Sequence, residues 1–255
     1  KRSTTEEREG AREGERPAVT EALIWSLIAF LNVDEEVLKA DGTLKKKRAE
    51  HLEEVFSTLP RELDPRRLLS VCMRLDLVRK RGSALVPHGK GIELYGRLPR
   101  SVRVTAAWAA AGSVFEEPAG REKPETEARA APKELYHRAF VLRSVIRSMP
   151  DEAVFTEKGL RRLIRVQSVL SGGGAQYLPV RPAEMLELGL LHDADGGLAL
   201  ASGARQDLLA RPNPRPLLIQ PDFTLTVEPP VEFLTGIRIG EIFDIRAFDV
   251  YPRFE

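Results

Sequence analysis

The feature that most constrains this fold is a pattern that occurs twice. Residues 73–86, MRLDLVRKRGSALV, align with residues 186–200, LELGLLHDADGGLAL, with one added residue in the second copy. Each reads as the end of a helix, an apolar dipeptide, a charged turn containing glycine and a short apolar strand, with a glycine before a closing helix. A repeat of this kind means that one supersecondary unit is used twice, and it outweighs any single local signal.

Three helical segments precede each hairpin. In the first copy Thr20 is positioned as a cap for a helix that offers Leu23, Trp25, Leu27, Ile28 and Leu31 to a core. A second helix, Lys45–Leu59, sets Leu52, Val55 and Phe56 on one face. The third opens at Asp64-Pro65, with aspartate as cap and proline in the first turn, and runs to about Leu75. A turn at Gly82-Ser83 and a helix from about Gly91 follow. In the second copy the helices fall at Lys133–Ser148, from Thr156-Glu157 to the glycines of 171–174, and at RPAEMLELG, 181–189. Three helices closed by a two-stranded hairpin is the winged-helix form of helix-turn-helix.

The predicted class is therefore α+β, mainly helical, with tandem winged-helix domains at 17–111 and 133–211. Residues 1–16 carry five basic and five acidic residues and no large apolar one, which predicts a solvated tail. Residues 112–132, rich in Pro, Glu and Ala, read as a linker. Beyond the stiff PNPRP at 212–216, residues 212–255 read as a small, incomplete α+β segment, and the break at VYPRFE suggests a fragment of a longer protein. In that segment Leu217, Leu218 and Ile219 predict a buried strand, interrupted by Gln220-Pro221-Asp222 and resuming at Phe223, Leu225 and Val227. Proline lacks a ladder donor, so Pro221 marks an edge or bulge. Helical turns are expected at 231–233 and 239–243, and VYPRFE as a strand returning to the first.

Charge separates the two copies. The whole chain of 255 residues has a net charge of +1, which by itself announces neither nucleic acid nor membrane. Between residues 61 and 103, however, eleven basic residues face four acidic ones, a local balance of +7. Arg66, Arg67 and Arg74 fall on the third helix, which in a winged helix enters the major groove, while Arg79, Lys80 and Arg81 fall at the hairpin, within reach of phosphates. Lys90 lies just beyond it. Guanidinium groups serve both tasks, pairing with guanine edges and with phosphate. The plain alternative is a solvated face, the usual place of arginine. The second hairpin carries Asp193 and Asp195, which phosphate would repel. Its unit has Arg161, Arg162 and Arg165 on the second helix instead, a face for protein or for nucleic acid in another orientation. His192 reads as a surface or half-buried residue rather than a ligand, and LKKKR at 44–48 as a solvated helix start.

Other chemistry finds no support. The single Cys72 excludes an intramolecular disulfide and multi-cysteine zinc motifs, predicts a buried inert thiol, and fits a reducing, cytoplasmic setting. No apolar run approaches the ~18 residues of a membrane span. GSALVPHGKG, 82–91, has the wrong spacing for a phosphate loop, with Gly91 where a hydroxyl residue is needed. SGGGAQ, 171–176, matches no dinucleotide fingerprint. No nucleophile elbow, HExxH or paired-carboxylate motif occurs, so no enzyme, cofactor or metal is expected.

One stretch carries a family resemblance. PLLIQPDFTLTV, from Pro216, resembles the first strand of the helicase-associated domain found in the non-catalytic N-terminal region of XPB-type superfamily 2 helicases: an aliphatic run, Gln-Pro, Asp, then an alternating strand. The close resemblance covers 216–255; the earlier residues agree in architecture only. It implies a non-catalytic module handling nucleic acid, or a scaffold, beside a helicase motor in DNA repair or transcription. The phosphate loop and Asp-Glu metal box of that motor are absent from this chain. The expected function is thus duplex DNA binding through the first winged helix, and the alternative is a protein-interaction scaffold without DNA contact.

Overall fold

Helix α1 (Glu21–Leu31) organises the core because it is apolar on almost every side, the pattern of an enclosed helix rather than a surface one. Thr20 Oγ1 accepts from Leu23 N at 3.3 Å, the predicted cap. The computed structural model describes residues 17–31, 38–39, 44–57, 65–115, 132–174, 178–222, 224–248 and 252–254. The segment 1–16, the cap Asp64, Phe223 and most of the predicted linker lie outside the described residues.

After α1 come α2 (Lys46–Val55), α3 (Pro65–Arg74), the hairpin β1 (Val78–Arg81) and β2 (Ala84–Pro87), then α4 (Gly89–Gly96) and α5 (Arg100–Phe115). The second copy comprises α6 (Pro132–Ser148), β3 (Val154–Phe155), α7 (Glu157–Leu170), α8 (Pro182–Glu187), β4 (Leu191–Ala194), β5 (Gly197–Leu200) and α9 (Ser202–Leu209). The last segment comprises β6 (Leu217–Ile219), β7 (Leu225–Val227), α10 (Phe233–Ile242), β8 (Ile245–Phe248) and β9 (Pro252–Phe254). Helices predominate, and the described strands form small antiparallel sheets ordered β1-β2, β3-β5-β4 and β6-β7-β9-β8. The chain is α+β, as its patterning predicts.

Several predicted elements are corrected. The single helix expected from about Gly91 is two, α4 and α5, broken at Arg97–Pro99. Arg103 makes the break tolerable, donating to the carbonyls of Gly96 at 3.0 Å and Leu98 at 2.8 Å, which a helix end leaves without partners. Residues 112–115, expected as linker, continue α5, which suits their Ala-rich approach. Leu217–Ile219 do not start a buried, interrupted strand. β6 and β7 are the arms of a hairpin, and Gln220-Pro221-Asp222 belong to its turn, closed by Gln220 N donating to Thr224 O at 2.9 Å. Asp222 Oδ1 accepts from Thr224 N and Oγ1 at 3.1 and 2.7 Å, and those bonds hold its carboxyl below the usual range. β9 returns as expected to that stretch, pairing with its second arm β7, and it pairs with β8 as well. α10 replaces two separate helical turns, and no sequence signal announces β8.

The three segments meet around α1. Gly236 and Gly240 of α10 sit against Trp25 and Ala29, where a Cβ would overlap them, so the two helices approach closely. Trp25 stacks on Phe254 at 5.9 Å, and Tyr95 meets Phe233 edge-on at 4.8 Å. Trp108 Nε1 donates to Val19 O at 2.9 Å. Glu21, only 3% exposed, accepts from Arg103 Nε at 2.5 Å and from Arg100, which also pairs with Asp207 of α9. Arg103 reaches Glu232, just before α10, at 3.3 Å. A second buried pair, Arg138–Glu184 at 2.5 Å, joins α6 to α8, and Gly112 of α5 leaves the space that Glu184 occupies. Buried charges persist only when paired in this way.

Candidate nucleic-acid interface

The first hairpin is built from its base outward. Leu77 and Val78 are buried and fix β1 to the core. Asp76 ahead of them has φ +59°, a left-handed conformation that aspartate tolerates better than most residues. Its carbonyl oxygen fills the space a Cβ on Gly91 would take, so only glycine allows this approach. His88 caps α4: its Nδ1 lies 3.2 Å from Gly91 N and 3.0 Å from Asp76 O, serving as acceptor for the first or donor to the second according to tautomer. The strands pair in register from Val78↔Pro87 to Arg81↔Ala84, leaving a two-residue turn with Gly82 at φ +64°. Ser83 O accepts from Leu38 N at 2.8 Å, so the tip is braced as well as the base.

On this frame Arg79, Lys80 and Arg81 are consecutive and all exposed. Arg79 forms a fork with Asp76, Nε–Oδ1 and Nη2–Oδ2 both 2.7 Å, and that bond raises its pKa further. Lys80 and Arg81 make no ion pair among the described residues. Lys90 is exposed in the first turn of α4, where the helix dipole disfavours a cation. Four cationic groups therefore stand along the hairpin and at its base: Arg79 engaged with Asp76, and Lys80, Arg81 and Lys90 exposed to solvent.

α3 is placed differently from this set. Arg66 lies in the helix, and its side chain is outside the described residues. Arg67 and Arg74 are half-buried, and from Arg67 to Arg74 no side chain is fully exposed. Leu68, Leu69, Val71 and Cys72 are buried against α1 and α5. Burial raises the Cys72 thiol far above its usual pKa, the inert state predicted for it.

The second hairpin also turns over two residues, but its positive-φ glycine, Gly196 at φ +87°, takes the second turn position where Gly82 takes the first. Its exposed side chains are His192, Asp193 and Asp195. On α7, Lys158, Arg162 and Arg165 follow one another at helical spacing and are exposed, with Arg161 held by Glu157 at 2.6 Å. Sequence reasoning missed the continuation of that face: Val166, Val169 and Leu170 are exposed too. The spacing 162, 166, 169/170 carries that signal, which the basic residues obscured.

Among the described residues no cluster of His, Cys, Asp and Glu is arranged to hold a metal ion. No helix among them is long and apolar enough to cross a membrane. A cavity of about 310 Å³ opens beside α1 and α9, lined by Trp25, Glu21, Arg100, Asp207 and Val231 among others, its charged groups paired with one another. No protein-family model, curated protein or solved structure matches the chain.

Proposed function

We propose that this chain is a non-catalytic nucleic-acid-binding module whose first unit, residues 17–111, is a winged helix that docks on duplex DNA with the β1–β2 hairpin leading. The observation that carries this reading is the run Arg79, Lys80 and Arg81, three exposed cations on a hairpin braced at tip and base. Support for the winged-helix reading comes from the second unit, whose order helix–strand–helix–helix–strand–strand closes into a β3-β5-β4 sheet. In this reading the wing supplies phosphate contacts and sets the affinity, and α3 contributes from the ends of its half-buried face. The place of such a module is beside a helicase motor, in the cytoplasm; the resemblance at 216–255 supports the first and the lone buried Cys72 the second.

The test is a salt titration of duplex binding by fluorescence anisotropy. Lys80→Glu/Arg81→Glu should lower affinity and flatten the slope of log K against log salt by about 2, one for each phosphate no longer neutralised. Adding Arg79→Glu should flatten it further. Parallel wild-type and variant lines would exclude the hairpin as a DNA-binding element. A second reading, a protein scaffold, draws on the exposed Val166, Val169 and Leu170 beside the arginines of α7. It predicts no affinity of the wild type for any duplex at low salt.

A further inference from the structure

β6 is unusual for an edge strand. Among the described residues it pairs only with β7, at the border of the β6-β7-β9-β8 sheet. Its three residues are all aliphatic and all exposed, Leu217 at 51%, Leu218 at 52% and Ile219 at 73%. Edge strands are ordinarily protected by charge, proline or a bulge within the strand. Here Pro216 and Pro221 flank the strand and leave it bare.

The backbone register fixes what the bare edge offers. Glu228 N donates to Pro216 O at 2.7 Å and Gln220 N to Thr224 O at 2.9 Å, and Leu218 stands opposite Thr226. Residues 216, 218 and 220 thus turn their polar groups toward β7. In an antiparallel ladder the alternate residues turn theirs the other way, so the N–H and C=O of Leu217 and Ile219 point out of the sheet.

We infer that β6 is a docking edge for β6 of a second copy of this chain, joined antiparallel about a two-fold axis at Leu218. The edge is complementary to itself. Leu217 of one copy lies opposite Ile219 of the other, and both are outward-facing, so each such pair exchanges two hydrogen bonds. Leu218 stands opposite Leu218 between them, as a non-hydrogen-bonded pair. Aliphatic side chains then meet aliphatic ones on both faces, and cross-strand pairs of this type stabilise a sheet. Charge agrees with the same register. Exposed Arg215 before the strand comes alongside the Pro221-Asp222 turn of the other copy, where Asp222 is exposed, so opposite charges meet at both ends. The ladder stops there, since Pro221 has no N–H to give. A two-fold contact of this kind is closed and ends at the dimer.

The register makes a specific test. Leu218→Cys places two thiols directly opposite one another, within disulfide reach in a non-hydrogen-bonded pair, and the native Cys72 is buried and does not interfere. With copper phenanthroline as oxidant, this variant should become a covalent dimer on a non-reducing gel. Leu217→Cys and Ile219→Cys, facing each other's positions rather than their own, should give about tenfold less when each is oxidised alone. Mixing those two variants should restore the crosslink. Adding Ile219→Pro to Leu218→Cys removes only an outward N–H, so it should abolish the dimer while circular dichroism and Tm stay unchanged. Leu209→Cys, equally exposed but outside the strand, is the collision control. Crosslinking of Leu218→Cys no greater than that of Leu209→Cys would overturn the inference, as would a dimer that survives Ile219→Pro.

Discussion

The two hairpins share a local design and differ in what holds them and in what they present. β1–β2 is a two-stranded ribbon, kept in place by interactions that are not strand pairing: Asp76 against Gly91 at the base and Leu38 against Ser83 at the tip. β4–β5 gains a third strand, β3, whose Phe155 carbonyl fills the space beside Gly197. A ribbon alone is marginal in water, so the first hairpin depends on its braces while the second has a sheet. The ribbon projects Arg79, Lys80 and Arg81; the sheet projects Asp193 and Asp195. One repeat has thus been used for opposite electrostatic ends, and the comparison separates scaffold from function.

The scaffold side breaks first at its buried charges, one pair in each unit. Arg138→Met leaves Glu184 buried without the Arg138 guanidinium and should cost about 3–5 kcal/mol in chemical denaturation. Arg103→Met leaves Glu21 to Arg100 alone and strips the Gly96 and Leu98 carbonyls of their donor, and should cost about 2–4 kcal/mol. Next come the glycines. Gly91→Val and Gly197→Val each drive side-chain carbon into a carbonyl, of Asp76 or of Phe155, and should cost roughly 2–4 kcal/mol. The comparison is sharpened by where the loss appears. Gly91→Val should release protection of β1–β2 amides in hydrogen exchange well below global unfolding, whereas Gly197→Val should lower the three-stranded sheet and the second unit together.

Hairpins and most helices are legible in the sequence because their causes are local. Gly82 and Gly196 mark turns by backbone conformation, and Thr20 caps α1 from one residue away. What escapes is set by partners distant in the chain. Glu21 reads as an ordinary acidic residue in a first helical turn, yet its burial depends on Arg103, 82 residues later. The three aliphatics of β6 read as core, because an apolar run implies burial unless strand order is known, and strand order places them at an edge. The candidate interface divides in the same way. Arg79, Lys80 and Arg81 are exposed on the outer part of β1, next to the turn, while α3 is closed on one side by α1 and α5, a packing no local pattern announces.

Charge is the side of the comparison that function should feel. Lys80→Glu/Arg81→Glu should weaken duplex binding on the order of a hundredfold at low salt, with thermal stability unchanged because both side chains are exposed. The converse change, Asp193→Lys/Asp195→Lys, should also leave stability alone and raise affinity less than tenfold or so. A gain at the second hairpin as large as the loss at the first would mean that charge decides binding wherever it stands. The brace around β1–β2 would then have no part in orientation.

The smallest effect lies at the joint between the two units, where Asp207 of α9 meets Arg100 of α5 beside Glu21. Burial raises the Asp207 carboxyl to a pKa of about 6; Arg100 pulls it down, and Glu21 adds to the rise. An acid whose pKa is higher folded than unfolded binds its proton more tightly in the folded state. Its contribution to stability therefore grows as pH falls from neutral through about 6 toward the unfolded carboxylate range near 4, and is absent at pH 7. Asp207→Asn has no such proton to take up. Between pH 7 and pH 5 the wild type should gain about 1 kcal/mol on the variant in urea denaturation. A gap that stays constant over that range would mean that Arg100 holds Asp207 ionised throughout, making the joint a plain ion pair between the two units.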